Sequence, residues 1–215
     1  MAPSLEEHFA ARCLEIERAI SELTPDGVRP VVLLGDSLTE AHPAVTLAGR
    51  PVSNQGISGD QAIHATCGVG RRLHLVARAR PSVVFLLIGI NDLANERRSA
   101  AELAAAMEAL LPRLVGGLPG VRLVVQTLLP VRERYLWLLP AIREANEHLM
   151  ACCRRHGLEL LDTHAVMADA AGHLREDYSA DGLHLTPAAY AAWSRLLEQA
   201  LNAGAGRMQA GAAGS

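Results

Sequence analysis

The run Val83-Val84-Phe85-Leu86-Leu87-Ile88, closed by Gly89-Ile90-Asn91-Asp92, decides how this chain is read. Six apolar residues with no polar interruption suit a strand covered on both faces, as in a parallel sheet; a strand with one wet face would alternate. Three more runs lie on either side: Val31-Val32-Leu33-Leu34, Val121-Arg122-Leu123-Val124-Val125 and Leu158-Glu159-Leu160-Leu161. Arg50-Pro51-Val52-Ser53 is a weaker candidate for a short strand.

Helical patterns fill the gaps between these runs. Leu5, Phe9, Cys13, Ile16 and Ile20 mark one face of an opening helix over about 4–22, with Ser4 and Glu7 spaced as a capping box. Ser99 and Glu102 repeat that spacing ahead of Leu103, Met107, Leu110 and Leu114. Ile142, Ala145, Leu149 and Cys152 stripe another helix, and Thr186-Pro187 reads as N-cap and first-turn proline ahead of Tyr190, Trp193 and Leu197. Strand and helix alternate from end to end, which predicts an α/β fold, a doubly wound sandwich in one domain over 1–202. The glycine- and alanine-rich tail, 203–215, reads as low-complexity and disordered.

A sheet of this kind sets its chemistry outside the carboxyl ends of the strands. Ser37 falls just past the first strand, Gly56 past the second and Asn91 past the third, so residues distant in sequence are expected to meet at one rim.

Composition narrows the function. A net charge of −3 with 20% charged residues gives no electrostatic case for a nucleic acid or a membrane surface as partner. All 20 basic residues are arginine, which excludes Schiff-base chemistry on a lysine and a P-loop lysine. Cys13, Cys67, Cys152 and Cys153 contain no Cys-x-x-Cys pair and read as small hydrophobes in helices, which suits a reducing compartment. The segment from Met1 to His8 lacks a basic start followed by an apolar run, and no segment approaches a membrane span. A cytoplasmic protein is the expectation.

Four short motifs then carry the chemistry. Gly35-Asp36-Ser37-Leu38 offers a serine at a strand-to-helix turn, although Asp and Ser also serve as helix caps. Asn54-Gln55-Gly56 offers a backbone N–H with no Cβ to obstruct it, or a plain turn. Gly89-Ile90-Asn91-Asp92 offers a side-chain amide, or a capping asparagine. Asp181-Gly182-Leu183-His184 lets a carboxylate hold one ring nitrogen of His184 while the other faces Ser37, or it is a solvated loop.

As a set they supply a nucleophile, a base, a carboxylate to orient it and donors for an oxyanion, the requirements of ester hydrolysis through an acyl-serine. Ser58 is a rival nucleophile, but Asp60 stands where Gly-x-Ser-x-Gly needs its second glycine. His164 and His173 are weak rivals for the base. A two-metal phosphoesterase would want Asp-x-His after the first strand, and Asp36-Ser37-Leu38 stands there, so no metal is expected. The loop from Leu128 to Trp137 is expected to overhang the site. Arg132 and Arg134 there would hold an anionic group and Tyr135 and Trp137 would wall an acyl pocket, unless they are solvated arginines and packed aromatics.

Gly35 to Glu40, Asn54 to Ile57, Gly89 to Asp92, and Asp181 to Pro187 together resemble the signature blocks of the SGNH hydrolases, also called GDSL esterases. The likeness runs from the first strand to the last helix. It is nearest to the small intracellular branch similar to the platelet-activating-factor acetylhydrolase catalytic subunits, on the Gly56 to Asp60 run and the His184-Leu185-Thr186-Pro187 ending.

The resemblance implies a flavodoxin-like, three-layer α/β/α sandwich on a mostly parallel five-stranded sheet, and hydrolysis of a small-molecule acyl ester without a cofactor. It implies Ser37 as nucleophile, His184 as base oriented by Asp181, and an oxyanion hole of the Ser37 and Gly56 N–H groups with the Asn91 amide. A short-chain ester such as an acetyl ester is the expected substrate. A thioesterase, a lysophospholipase or an acyltransferase would use the same triad, and a silent binding module is the reading of a different class. A homodimer is compatible with the resemblance; the residues themselves fix no oligomeric state.

Overall fold

The computed structural model describes residues 4–23, 27–64 and 66–212; Met1 to Pro3 and 213–215 lie outside it. Its strands are β1 (Val31–Gly35), β2 (Thr46–Leu47), β3 (Arg50–Gly56), β4 (Val83–Leu87), β5 (Arg122–Gln126) and β6 (Glu159–Leu161). Its helices are α1 (Leu5–Glu22), α2 (Ser37–Glu40), α3 (Leu73–Arg78), α4 (Ile90–Ala94), α5 (Ala100–Gly117), α6 (Leu139–His156), α7 (Thr163–Met167) and α8 (Pro187–Ala212).

The sheet order is β2-β3-β1-β4-β5-β6, with every pair parallel except β2 with β3. The five expected strands are thus present, and a sixth joins them. It is a two-residue return, Thr46–Leu47, paired antiparallel with Pro51 and Arg50, too short to leave an apolar pattern in the sequence. The weak Arg50 candidate extends through Gly56, because its far half pairs along the whole of β1.

Both central strands are buried over their full length, which is why they read as unbroken apolar runs. Helices flank this sheet and complete a three-layer sandwich whose core includes Trp193, Phe85, Ile16 and Leu110. Both capping boxes form: Ser4 with Glu7 on α1, and Ser99 with Glu102 on α5. Helix α8 continues to Ala212, past residue 203 where a disordered tail was expected. Cys67, Cys152 and Cys153 are buried free thiols, and burial pushes the last two up to about 11, so they stay protonated and inert. Among the described residues no helix is long and apolar enough to cross a membrane.

Without the β2 return, the chain adds β3 on one side of β1 and then crosses to add β4 on the other. The sheet order therefore reverses between β1 and β4, the switch point outside whose carboxyl ends open α/β sheets place a ligand crevice. Ser37 follows β1 and Asn91 follows β4, one on each side of that crevice. Gly35 and Gly56 are register partners at the ends of β1 and β3. A Cβ on Gly56 would lie 2.0 Å from the Glu40 nitrogen, and one on Gly35 would lie 2.3 Å from the Leu87 oxygen. The two glycines are what let the short helix bearing Ser37 settle against the strand ends.

Candidate active site

Asp36 caps α2: its Oδ1 accepts the Leu38 N–H at 3.0 Å, which turns the chain so that Ser37 opens the helix, partly exposed. Burial pushes the Asp36 carboxyl up to about 7, against the pull of that N–H and with help from the nearby Asp60 and Asp92 charges. Behind the turn, the Tyr190 hydroxyl donates to the Leu38 carbonyl at 3.0 Å, tying α8 to α2.

The Asp181 to His184 turn reaches the same place from the other end of the chain. Ser37 Oγ lies 3.5 Å from His184 Nε2, and His184 Nδ1 lies 2.7 Å from Asp181 Oδ2. An ionised carboxylate only accepts, so the hydrogen of that bond sits on Nδ1 and the Nε2 lone pair faces the serine. Asp181 is itself fixed: its Oδ1 accepts the N–H groups of Leu183 at 2.9 Å and His184 at 2.8 Å. Partial burial would raise its carboxyl, but the bonds from the His184 ring and these two N–H groups outweigh it and hold Asp181 well below the usual carboxylate range.

Two contacts shape that turn, and neither was read from the sequence. Ser179, buried, donates to the His184 carbonyl at 2.7 Å and accepts the Gly182 N–H at 2.9 Å. Gly182 has φ +91°, and a Cβ there would meet the Arg132 carbonyl oxygen at 2.5 Å, so the loop after β5 lies directly on the turn. Arg132 N–H completes the contact by donating to the Gly182 carbonyl at 3.0 Å.

Asn91 is buried, donates from Nδ2 to the Asp60 carbonyl at 2.9 Å, and accepts from Asn95 at 3.1 Å. A primary amide has two hydrogens, so one remains for a ligand. Gly56 has a different occupation. Its N–H donates to Asn54 Oδ1 at 2.9 Å and its carbonyl accepts from Arg12 at 3.2 Å, so the expected donor is already engaged. Three residues on, the Gly59 N–H has no partner among the described residues. Gly59 stands at φ +79° in the Ile57 to Asp60 turn, beside the carbonyl that receives Asn91.

None of the rivals joins the Ser37 site. The Ser58 hydroxyl and N–H both donate to Glu40, at 2.6 and 2.5 Å, which staples the same turn to α2 instead of activating a nucleophile. His164 and His173 make no hydrogen bond with Ser37; each donates its backbone N–H, to Thr127 and to Asp169. In the loop after β5, Arg132 donates to the Leu174 carbonyl at 2.9 Å and so braces the loop. Arg134 is exposed over the Tyr135 ring, 4.9 Å from its centroid, and Tyr135 packs against the Gly182 turn. Trp137 is half exposed with Arg97 over its ring. Glu108, Cys152 and His156 on α5 and α6 bring their donor atoms within 4.8 Å of one another, away from the strand ends.

Known structures share this architecture over nearly the whole chain. A structure from Streptococcus pneumonia, provisionally named a platelet activating factor, is 26% identical with a TM-score of 0.71, covering 92% of this chain and 96% of its own. A GDSL-like lipase from Bacteroides thetaiotaomicron is 18% identical with a TM-score of 0.73, over 94% of this chain and 100% of its own. The lipase/acylhydrolase from Enterococcus faecalis is 21% identical with a TM-score of 0.66, over 81% and 95%. No curated protein matches the chain. The model of the GDSL-like lipase/acylhydrolase family matches residues 33–192, from β1 into α8 and across all four motifs, and the chain belongs to that family.

Proposed function

We propose that this acylhydrolase-family protein is a serine esterase that hydrolyses short-chain acyl esters through an acyl-serine intermediate. The observation that carries the reading is the chain of contacts Ser37 Oγ, His184 Nε2, His184 Nδ1, Asp181 Oδ2, with its oxygen end in the crevice between β1 and β4.

In the first half of the reaction His184 Nε2 takes the Ser37 proton as Oγ attacks the ester carbonyl carbon. The carbonyl π electrons move to oxygen. The resulting imidazolium is stabilised by Asp181, which stays ionised. The oxyanion is received by the Ser37 N–H, the second hydrogen of Asn91 and the Gly59 N–H; the last replaces Gly56, whose N–H is spent on Asn54. Collapse of the tetrahedral centre expels the alcohol, which leaves with the proton from Nε2. In the second half water gives its proton to Nε2, attacks the acyl carbon and releases the acid, and Ser37 regains its hydrogen. The Tyr135 ring beside the Gly182 turn and the exposed Trp137 are suited to wall the acyl group, and Arg134, exposed, is the better placed of the two loop arginines to meet an anionic substituent.

Labelling with a fluorophosphonate tests the reading without knowledge of the substrate. The wild type is expected to label once, at Ser37, and Ser37→Ala to lose both the label and, on the scale of another serine hydrolase, about 10⁶-fold in kcat. An unlabelled wild type, or a labelled Ser37→Ala, overturns it.

A further inference from the structure

Arg72, in the Arg71-Arg72-Leu73 segment that leads into α3, is fully buried. Its Nε donates to Asp60 Oδ2 at 3.0 Å, and Nη2 donates to the same carboxylate oxygen. Nη2 also reaches the Gly35 carbonyl at 2.8 Å, and Nη1 donates to the Gln55 carbonyl. Those three acceptors lie in different segments. Gly35 ends β1, two residues before Ser37. Gln55 lies near the end of β3, ahead of the Ile57 to Asp60 turn. Asp60 closes that turn through its N–H to the Ile57 carbonyl at 3.0 Å, and its own carbonyl takes Asn91 Nδ2.

A buried ion pair carries a desolvation cost that a matched apolar pair avoids, so stability alone is a weak reason to place one here. The guanidinium plane supplies what an apolar side chain cannot: donors in fixed directions that bind three backbone segments at once. The first leads into Ser37, the second into the turn that holds Gly59, and the third accepts from Asn91 on α4.

We propose that Arg72, with Asp60, is a positioning residue that fixes the Ser37 N–H, the Gly59 N–H and the Asn91 amide relative to one another; this rests on the esterase reading of the site. Arg72 touches no reacting atom. Its effect passes through the carbonyls it holds, and misplacement of catalytic donors by about 1 Å costs on the order of 10²-fold in rate.

The test compares wild type with Arg72→Lys, which keeps the charge beside Asp60 but loses the fork, and with Arg72→Met/Asp60→Asn, which removes both buried charges. Steady-state hydrolysis of p-nitrophenyl acetate is measured on protein whose cooperative melt shows it to be folded. The expected result in both is kcat lower by about 10²-fold. KM should stay within about threefold of wild type, and the pH midpoint of kcat should not move, because Asp181 and His184 are untouched. A folded variant that keeps kcat within about threefold, or whose loss falls in KM, overturns the proposal while leaving the esterase reading intact. Failure of both variants to fold also overturns it, because the pair then serves stability alone. A wild type that neither labels with fluorophosphonate nor turns over the ester removes the esterase reading, and this proposal with it.

Discussion

Replacing Asn91 with alanine separates what the proposed mechanism asks of this residue in the transition state from what it does for the fold. Its amide has two hydrogens and one is committed to the Asp60 carbonyl, so alanine removes the spare donor from the crevice and leaves Asp60 O and Asn95 Nδ2 without their partner. The first loss falls on the oxyanion, which exists only as the tetrahedral centre forms, and a donor of this kind is worth about 2.7–4 kcal/mol, or about 10²–10³ in kcat. KM should barely change, because a planar ester carbonyl makes little use of that donor. The second loss leaves the Asp60 carbonyl unsatisfied in a buried turn, costing about 1–3 kcal/mol, whereas the exposed Asn95 amide turns to solvent. At roughly 2–4 °C per kcal/mol for a chain of this size, that lowers Tm by about 2–12 °C. Asn91→Asp is the sharper companion: it can still accept from Asn95 but turns a carboxylate oxygen toward both the Asp60 carbonyl and the developing anion, so its kcat should fall below that of the alanine variant. Steady-state kinetics on p-nitrophenyl acetate, paired with thermal melts, measure both effects on the same protein. A tenfold rise in KM at unchanged kcat, on the scale that marks loss of uniform binding, would refute the assignment of Asn91 to the oxyanion.

Asp181→Asn should lower kcat by about 10⁴, as a wrong histidine tautomer does in another serine hydrolase, with fluorophosphonate labelling slowed in step; unchanged labelling speaks against Asp181 as the orienting group. Gly56→Ala should fail to fold or melt far below wild type, because its Cβ would fall 2.0 Å from the Glu40 nitrogen, and a variant with normal Tm contradicts that packing. His42 is held against Tyr190 and Trp193, and burial lowers its ring to about 4 from an ordinary 6.5. The unfolded chain therefore takes up a proton that the folded one refuses between those values, so this stability is fully present above about 6.5 and is lost as pH falls toward 4. In urea titrations across that window His42→Phe should flatten the loss relative to wild type; the difference between the two proteins cancels Asp36, whose raised carboxyl gives the opposite slope from 3.8 to about 7.

How much of this was legible in the sequence depended on whether a feature was local. The Ser4 and Ser99 capping boxes, the buried strands and the contact of Asp181 with His184 depend on residues within a few positions of one another, and they formed as read. That the ends of β1 and β4 face one crevice followed from alternation of strand and helix, because right-handed crossovers leave few topologies. Strand β2 escaped notice because two residues make no pattern. Gly56 and Gly59 could not be told apart within Asn54 to Asp60, since which N–H is spent depends on how the Asn54 side chain folds back. Arg72 stood in the sequence as the second of two adjacent arginines, a pattern that ordinarily means a solvated face; only the sheet's register brings Gly35, Gln55 and Asp60 within its reach.

The crevice is also where this fold concentrates its electrostatic cost. Asp36, Asp60 and Asp92 are each fully buried at or just beyond the strand ends, and burial pushes all three carboxyl groups up from their ordinary range. Each accepts a backbone N–H that has no helix or strand partner: that of Leu38 in the first turn of α2 for Asp36, and those of Gln61 and Ala62 in the loop after β3 for Asp60 and Asp92. Asp60 and Asp92 are further offset by Arg72 and Arg98, while one oxygen of Asp36 has no hydrogen-bond partner among the described residues. An apolar substitute at any of the three would orphan the N–H and release the loop. The same carboxylates that are costly to bury therefore hold the segments around Ser37, Gly59 and Asn91, the groups that the proposed mechanism asks to receive the oxyanion. Asp36, the one of the three without an ion pair among the described residues, is therefore where stabilising substitutions should arise. Asp36→Asn keeps an acceptor for the Leu38 N–H and should raise Tm while lowering turnover, whereas loss of Asp60 or Asp92 alone leaves Arg72 or Arg98 without its carboxylate and should lower Tm. An Asp36→Asn variant with raised Tm at full activity would show that the turn keeps its shape without the charge.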